Sequence, residues 1–472
     1  MGDDGIIKKA EYASDMHANS VAAEQDAMDT LLEEYANAMA DPPEPEVYED
    51  EVLPTVPKTT EGMTKVKYNS TSGKWEKVED EAEEWYNYST TSKEWANVVL
   101  GDATFNSDGT LNEDEPYTQL VWIPRYAYQI TSQYHTSGST AGNINIVFVD
   151  TANKNGGTTY STTYPDLTED GTGMSDYVVH PAFNYGGTAI EGFWMGKFES
   201  SNTSCTTDAS TGNVAYTGSE VMTVKANVTS WRYLTIGNAF ATCLAMNASG
   251  NPYGLSTDDS VVDPHMTKNS EWGAVAYLSQ STYGKNVEVW NNSNTSYITG
   301  MAGSNVDAYD ESTTSAYNEG NGPQASTTGN VYGIYDMRGG NWERVAAYVN
   351  NGHTNLTTYG GDLVASGTAS KYRDVYTSTV SDGSSAQEAD YALATPANGH
   401  YGDAVYETSA SSNSPWTNSW YSDYSNFPYS KWPFFDRGGV CSGDSSVGVF
   451  CFNGTTGNVF DNNGFRVVVP VL

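Results

Sequence analysis

Glycine and bulky aromatic side chains run together along nearly all of this 472-residue chain, and that combination restricts what it can fold into. There are 45 Gly, 34 Tyr and 12 Trp. Glycine, with abundant Ser, Thr and Asn, favours turns and short strands over long helices. The core must then be built from large rings carried on short elements. Hydrophobic residues make up 38% of the chain, which is enough to fill such a core and disfavours global disorder. The length allows roughly two to four domains.

Four regions follow from the pattern. Residues 1–40 hold one amphipathic helix, in which Ile6, Ile7, Ala10, Ala13, Val21, Ala27, Met28, Leu31, Leu32 and Tyr35 recur at three- and four-residue steps. Asp3 and Asp4 can cap its start, and Pro42-Pro43 end it. Its Ala-rich stripe is thin and calls for a partner. Residues 41–61 form an acidic Pro-rich linker, stiff and extended. Residues 62–117 contain a small repeat, Lys67-Tyr68…Lys74-Trp75 echoed by Tyr86-Asn87-Tyr88…Glu94-Trp95. It is expected to form paired hairpins acting as a spacer, with a carbohydrate-binding aromatic patch as the alternative. Residues 118–472 read as one large, loop-rich α+β domain. Val121–Tyr128 is its expected first strand and Phe465–Pro470 its last; first and last strands often pair. Helices are expected at Ile236–Met246 and Ser270–Ser279.

The charge balance, 22 Lys+Arg against 59 Asp+Glu (22 − 59 = −37), repels phosphate backbones and disfavours nucleic acid as a partner. The same surface can hold a hard cation such as structural calcium; no other cofactor is expected. Cys205, Cys243, Cys441 and Cys451 contain no Cys-x-x-Cys and are too few for a disulfide scaffold at this length. No apolar run is long enough to span a bilayer.

Five strings, in order, resemble the formylglycine-generating-enzyme (sulfatase-modifying factor) type of C-type-lectin fold. They are Gly192-Phe-Trp-Met-Gly-Lys-Phe-Glu199, Val228-Thr-Ser-Trp231, Lys268-Asn-Ser-Glu-Trp-Gly-Ala-Val-Ala-Tyr-Leu278, Asn330-Val-Tyr-Gly-Ile-Tyr-Asp-Met-Arg-Gly-Gly-Asn-Trp-Glu343, and a close made by Arg437-Gly-Gly with Gly464-Phe-Arg-Val-Val468. The residues make sense by themselves. Gly333, Gly339 and Gly340 permit sharp turns. Trp194, Trp231, Trp272 and Trp342 supply buried area. Arg437, Arg466 and Glu343 are expected in structural ion pairs. The enzyme branch of the family uses a reactive Cys pair near the Arg-Gly-Gly. Cys441 and Cys451 lie near that position with a different spacing, and no Lys, Arg or His stands between Gly438 and Phe465 to activate a thiolate. The N-terminal string Gly2-Asp-Asp-Gly-Ile-Ile-Lys-Lys-Ala10 resembles the region following the membrane helix of type IV pilin-like proteins. That resemblance implies an anchoring segment ahead of this chain, surface display, and pilus or membrane assembly through the N-terminal helix. A plain amphipathic helix is the alternative.

The tail is similar to the variable segment of proteins diversified by retroelements, which starts at the Arg-Gly-Gly and runs to the final Gly-Phe-Arg. Randomising the adenines of an Asn codon cannot yield Glu, Gln, Lys, Met or Trp, and none of these occurs from Val440 to Asn463. Gly448–Asn453 reads as a strand with Phe450 and Phe452 facing the core and Val449, Cys451 and Asn453 facing out. The resemblance implies a ligand-binding face made by Val440, Cys441, Ser442, Asp444, Ser445, Ser446, Cys451, Asn453, Thr455, Thr456, Asn458, Phe460, Asp461, Asn462 and Asn463, with Phe460 as the best anchor.

The expected function is therefore that of an extracellular, surface-displayed adhesin or receptor-binding protein, not an enzyme. Its partner would be a protein or glycan on another cell, phage or host surface. Two alternatives stay open: a copper- and thiol-dependent oxidase using Cys441 and Cys451, and a calcium-dependent lectin of fixed specificity. Other motifs are discounted. Cys441–Ser446 lacks the context of a trypsin-type serine. The six His show no His-Glu-x-x-His spacing. Asp258, Asp259 and Asp263 sit in no EF-hand pattern and read as a solvated acidic loop.

Overall fold

A computed structural model describes Met28 and residues 54–78, 85–164, 172–205, 216–377, 400–410 and 416–472. Apart from Met28, the helix expected over 6–40 lies outside the described residues, as does most of the linker. Among those described, strand exceeds helix and several small sheets are present, so the fold is mixed α+β.

The chain order of the elements explains how distant segments meet. β1 (Thr64–Asn69) and β2 (Lys74–Lys77) form a hairpin, followed by β3 (Asn97–Val99) and β4 (Gln119–Pro124). β5 (Tyr126–Ile130), β6 (Ile144–Phe148) and β7 (Val178–Val179) make a separate sheet of order β6-β5-β7. β8 (Gly192–Gly196) and β9 (His265–Met266) follow, with helix α1 (Ile236–Leu244) between them and α2 (Asn269–Ser279) after. β10 (Trp342–Asn350), β11 (Asp374–Thr377), β12 (Phe434–Arg437), β13 (Phe452–Thr455) and β14 (Asn463–Phe465) form the sheet that carries the C-terminal segment. β15 (Val467–Val469) ends the series. The largest sheet has the order β9-β15-β8-β4-β3-β1-β2.

β4 and β8 are buried at every residue. Strands covered on both faces carry continuous apolar runs instead of an alternation, and Leu-Val-Trp-Ile and Phe-Trp-Met are such runs. The expected pairing of first and last strands is corrected here: β8 lies between β4 and β15, so these two strands share a sheet without pairing. Both expected terminal strands are also broken by an arginine. Arg125 separates β4 from β5, and Arg466 separates β14 from β15. α1 starts at Thr235, whose hydroxyl accepts from the Asn238 N–H at 3.2 Å. α2 starts with Glu271 reaching back to the Lys268 N–H at 2.9 Å, and it is buried almost all round.

The 62–117 segment is not a spacer. Residues 52–472 form one unit, and β1, β2 and β3 extend the main sheet beyond β4. Trp75, Trp85 and Trp95 are buried, so they offer no patch to a sugar. The Tyr88 hydroxyl donates to the Trp122 carbonyl at 2.7 Å, and Trp95 Nε1 to the Tyr283 carbonyl at 3.0 Å. The second half of the repeat is reduced to one bridge, Asn87 to Glu94. Asp263 is likewise no loop ligand: it is buried, ion-paired with Lys371 and accepting from the Tyr185 and Tyr372 hydroxyls. Among the described residues no helix is long and apolar enough to cross a membrane.

Arg466 stands where the chain leaves one large sheet for the other. Its guanidinium is fully buried and ion-paired with Glu343, with Nε 3.0 Å from Oε2. Nη1 donates to the Gly196 carbonyl at the end of β8 (2.7 Å) and Nη2 to the Tyr335 carbonyl (2.8 Å). The expected ion pairing holds for Arg466 and Glu343. Arg437 instead donates to Asn269 Oδ1 and to the carbonyls of Asp403 and Ala404, at 3.0 to 3.1 Å. Truncating one partner of a buried pair leaves a desolvated charge, so Glu343→Ala is expected to cost about 3 kcal/mol of unfolding free energy. Chemical denaturation checks this, and a loss below about 1 kcal/mol contradicts the role assigned to the pair.

Candidate functional site

The segment 440–463 leaves the core through Arg437-Gly438-Gly439. Gly438 and Gly439 have φ of +79° and +84°, the left-handed region where a Cβ is penalised, and a Cβ on Gly439 would meet the Val447 side chain at 2.3 Å. A second pair, Gly339-Gly340, faces this turn, with Gly339 N–H donating to the Gly438 carbonyl (3.2 Å) and Cys441 N–H to the Gly340 carbonyl (2.9 Å).

Beyond that turn the segment is held mainly by its main chain. Asn291 Nδ2 donates to the Gly443 carbonyl (3.2 Å), Trp272 Nε1 to that of Val449 (2.8 Å) and Ser419 Oγ to that of Phe450 (3.1 Å). Asp423 accepts from the Phe450 N–H at 3.1 Å. Arg344, buried, donates to the Gly457 carbonyl (2.9 Å) and to that of Asn458. Arg232 donates to the Asp461 carbonyl at 2.6 Å and lies 4.1 Å from the Tyr297 ring centre. These bonds do not depend on which side chain the segment carries at the bonded position.

The expected strand at 448–453 is displaced. Residues 448–451 turn, with Cys451 N–H donating to the Gly448 carbonyl (3.0 Å), and the strand is β13 at Phe452–Thr455. Phe450 and Phe452 face the core as expected, but Val449 and Cys451 are buried too, because a turn pinned by Trp272 and Asp423 has no outward face. Of the expected binding residues, Cys441, Cys451, Thr455 and Asn463 are buried. Ser442, Asp444, Ser445, Phe460 and Asp461 are exposed; Val440, Ser446, Asn453, Thr456, Asn458 and Asn462 are half-buried. Burial pushes the Cys441 thiol up to about 12 and the Cys451 thiol well above its ordinary value. The two form no disulfide, and neither is a thiolate near neutral pH.

Six of the expected residues line one cleft of about 460 Å³: Asn453, Thr455, Thr456, Phe460, Asn462 and Asn463. The sheet's period of two explains this. Arg344 pairs with Asp436, Asp436 with Asn453, and Trp342 with Asn463, while Glu343 and Arg437 point to the core. Val440 to Ser446 lie outside the cleft, as do Cys451, Asn458 and Asp461. The rest of the lining is largely aromatic and lies outside the segment: Trp342, Trp416, Tyr424, Tyr429 and Trp432. Trp342, expected in the core, is only half-buried, because β10 begins with it at the rim. Tyr429 and Trp432 pack edge to face at 5.2 Å on a tight turn in which each N–H donates to the other's carbonyl. The density of aromatics from Trp416 to Phe435 was the sequence signal for this lining.

Asp436 forms the floor. It is 3% exposed; Asn463 Nδ2 donates to its Oδ2 at 2.7 Å, and the Thr455 hydroxyl also hydrogen-bonds the carboxyl. Burial pushes its carboxyl up to about 6, against the pull of Arg344. No protein-family model and no curated protein sequence matches the chain.

Burial also raises Asp403 to about 6 and Glu407 to about 7, the latter although the Tyr128 and Tyr277 hydroxyls donate to it at 2.9 Å. A carboxyl whose folded value lies above its unfolded one adds stability that is complete below the unfolded value and is lost as pH rises through the folded one. The net charge of −37 acts in the same direction. The melting temperature is expected to rise as pH is lowered from about 8 to about 5. Calorimetry across that range checks it, and a falling melting temperature contradicts it.

Proposed function

We propose that this chain is a surface-displayed ligand-binding protein whose C-terminal segment, 440–463, is an interchangeable binding face. Its large domain would be a C-type-lectin-like domain of the formylglycine-generating-enzyme type, and the segment would be diversified by a retroelement. The loop-rich α+β makeup and the five ordered strings support the fold reading. The observation that carries the functional reading is the way the segment is held. Scaffold groups including Asn291, Trp272, Ser419, Arg344 and Arg232 grip its carbonyls, while Ser442, Asp444, Ser445, Phe460 and Asp461 stand exposed. A backbone fixed by bonds of that kind tolerates exchange of its outward side chains, which is what a binding face of many specificities needs. Rigid aromatics beside adaptable Asn, Ser and Thr give it the chemistry of an antibody-like surface.

The thiol-oxidase alternative loses support, since Cys441 and Cys451 are buried and protonated near neutral pH. Sequencing the native locus across the codons for Val440 to Asn463, in many cells, tests the proposal. The expected result is a nearby near-copy differing only at adenine positions, beside a reverse-transcriptase gene. An invariant locus without such a copy overturns the diversified reading.

A further inference from the structure

The cleft is lined by two sets of residues. One belongs to the segment, through Asn453, Thr456, Phe460 and Asn462; the other, the aromatic set that includes Trp416 and Trp432, lies outside it. The aromatic set is not a failed core. Trp416 is 38% exposed in a chain that buries seven other tryptophans completely, and Phe460, also lining the cleft, is 41% exposed. Trp416 also holds a φ of +58°, a backbone conformation that bulky residues rarely adopt and that persists where the surroundings enforce it. Clustered, partly exposed aromatics around a concavity mark a binding surface.

Size, polarity and charge narrow the ligand. A cleft of about 460 Å³ lies in the range of small-ligand sites, roughly 300–1,000 Å³. A protein partner spreads over a broader face, about 800 Å² on each side. The floor is the Asp436 carboxyl, 3% exposed and hydrogen-bonded by the Asn463 and Thr455 side chains. A carboxylate at the base of a cleft can only accept hydrogen bonds, and a hydroxyl is a donor. Asn426, Asn453 and Asn462 also line the cleft, with Asn426 Nδ2 donating to Asn453 Oδ1 at 2.8 Å, and amides can both give and accept. Among the described residues no Lys, Arg or His lines the cleft and its floor is a carboxyl, which disfavours an anionic ligand, although Lys431 Nζ lies over the Trp432 ring, 5.1 Å from its centre. Aromatic faces take the C–H bonds of a saturated ring through their negative quadrupole. A ligand with apolar C–H faces, many hydroxyls and no charge is a sugar.

We propose that the cleft binds a neutral glycan, its ring stacked on the aromatic set at Trp416 and Trp432 and its hydroxyls read by Asp436 and the Asn side chains. This rests on the reading of 440–463 as a binding face. The aromatic set supplies affinity common to many sugars, and the segment's residues select among them.

The test is ligand-observed NMR and titration calorimetry on the full chain, using neutral oligosaccharides of glucose, galactose, mannose and N-acetylglucosamine, with and without chelator. The expected result is saturable binding of at least one of them, unchanged by chelator. Trp416→Ala and Trp432→Ala should each weaken it roughly tenfold, and Asp436→Asn should weaken it too, with melting temperature checked for each variant. Binding by none at millimolar sugar, binding that the Trp variants leave untouched, or binding lost with chelator overturns the assignment. A double change, Asn453→Ala with Phe460→Ala, separates the two claims. An altered order of preference among the sugars supports both. Sugar binding with an unchanged order leaves the glycan site standing and removes the selecting role of the segment. A diversified locus in a chain that binds no neutral sugar leaves the binding face standing and removes the glycan.

Discussion

The buried Arg466–Glu343 pair is the constraint on which the rest of the architecture depends. The chain passes from the C-terminal sheet (β14) to the main sheet (β15) within three residues, and Arg466 is the residue in between. One guanidinium satisfies a carbonyl of β8, the Tyr335 carbonyl and the carboxylate of β10, so it ties three separate stretches to one point. Taking that charge out of water costs several kcal/mol and is offset only when every donor has a partner. Asp336 and Glu199 are buried nearby and strengthen the field that keeps Arg466 charged. Glu199 in turn accepts from the Asn341 N–H at 2.7 Å, next to the Gly339-Gly340 turn that faces the start of the segment.

The same device, an arginine spent on carbonyls, recurs where the segment is held. Arg344 and Arg232 lie buried under it and donate to Gly457, Asn458 and Asp461, while Arg437 anchors its origin to the Asp403 and Ala404 carbonyls. Arginine suits this because its planar fork of donors reaches several carbonyls at once and stays charged when buried. The consequence is a division between what determines the path of the segment and what its side chains present. Rigid support of this kind lets a loop-like surface act as a binding site without losing definition.

Much of the architecture was legible because it rests on local pattern. The buried runs of β4 and β8 and the helices at Ile236 and Asn269 stand out as apolar stretches between glycine-rich breaks. The segment's limits were legible from its two flanking arginines. What escaped depended on contacts between residues far apart in sequence. The Trp95 indole finds its acceptor 188 residues away, so nothing local reveals that the first hairpins belong to the main sheet. Alternation failed at 448–451 because Trp272 and Asp423 impose a turn there. The aromatic lining is not legible as a site in the sequence because tryptophan in a glycine-rich chain reads as core. Only the geometry of the rim at Trp342 and Trp416 shows otherwise.

The central claim is that side chains of 440–463 are separable from the path of its backbone. Its most direct test is a library with each codon from Val440 to Asn463 randomised singly, displayed and sorted for resistance to protease. The account predicts a sharply uneven map. Ser442, Asp444, Ser445, Thr456, Phe460 and Asp461 should accept most residues. Gly457, with φ +79° against the Phe434 ring, Phe450, Phe452, and Gly448 against the Asp423 carboxylate should accept almost none. Uniform intolerance along the segment, or free substitution at Phe450 and Gly457, would contradict it.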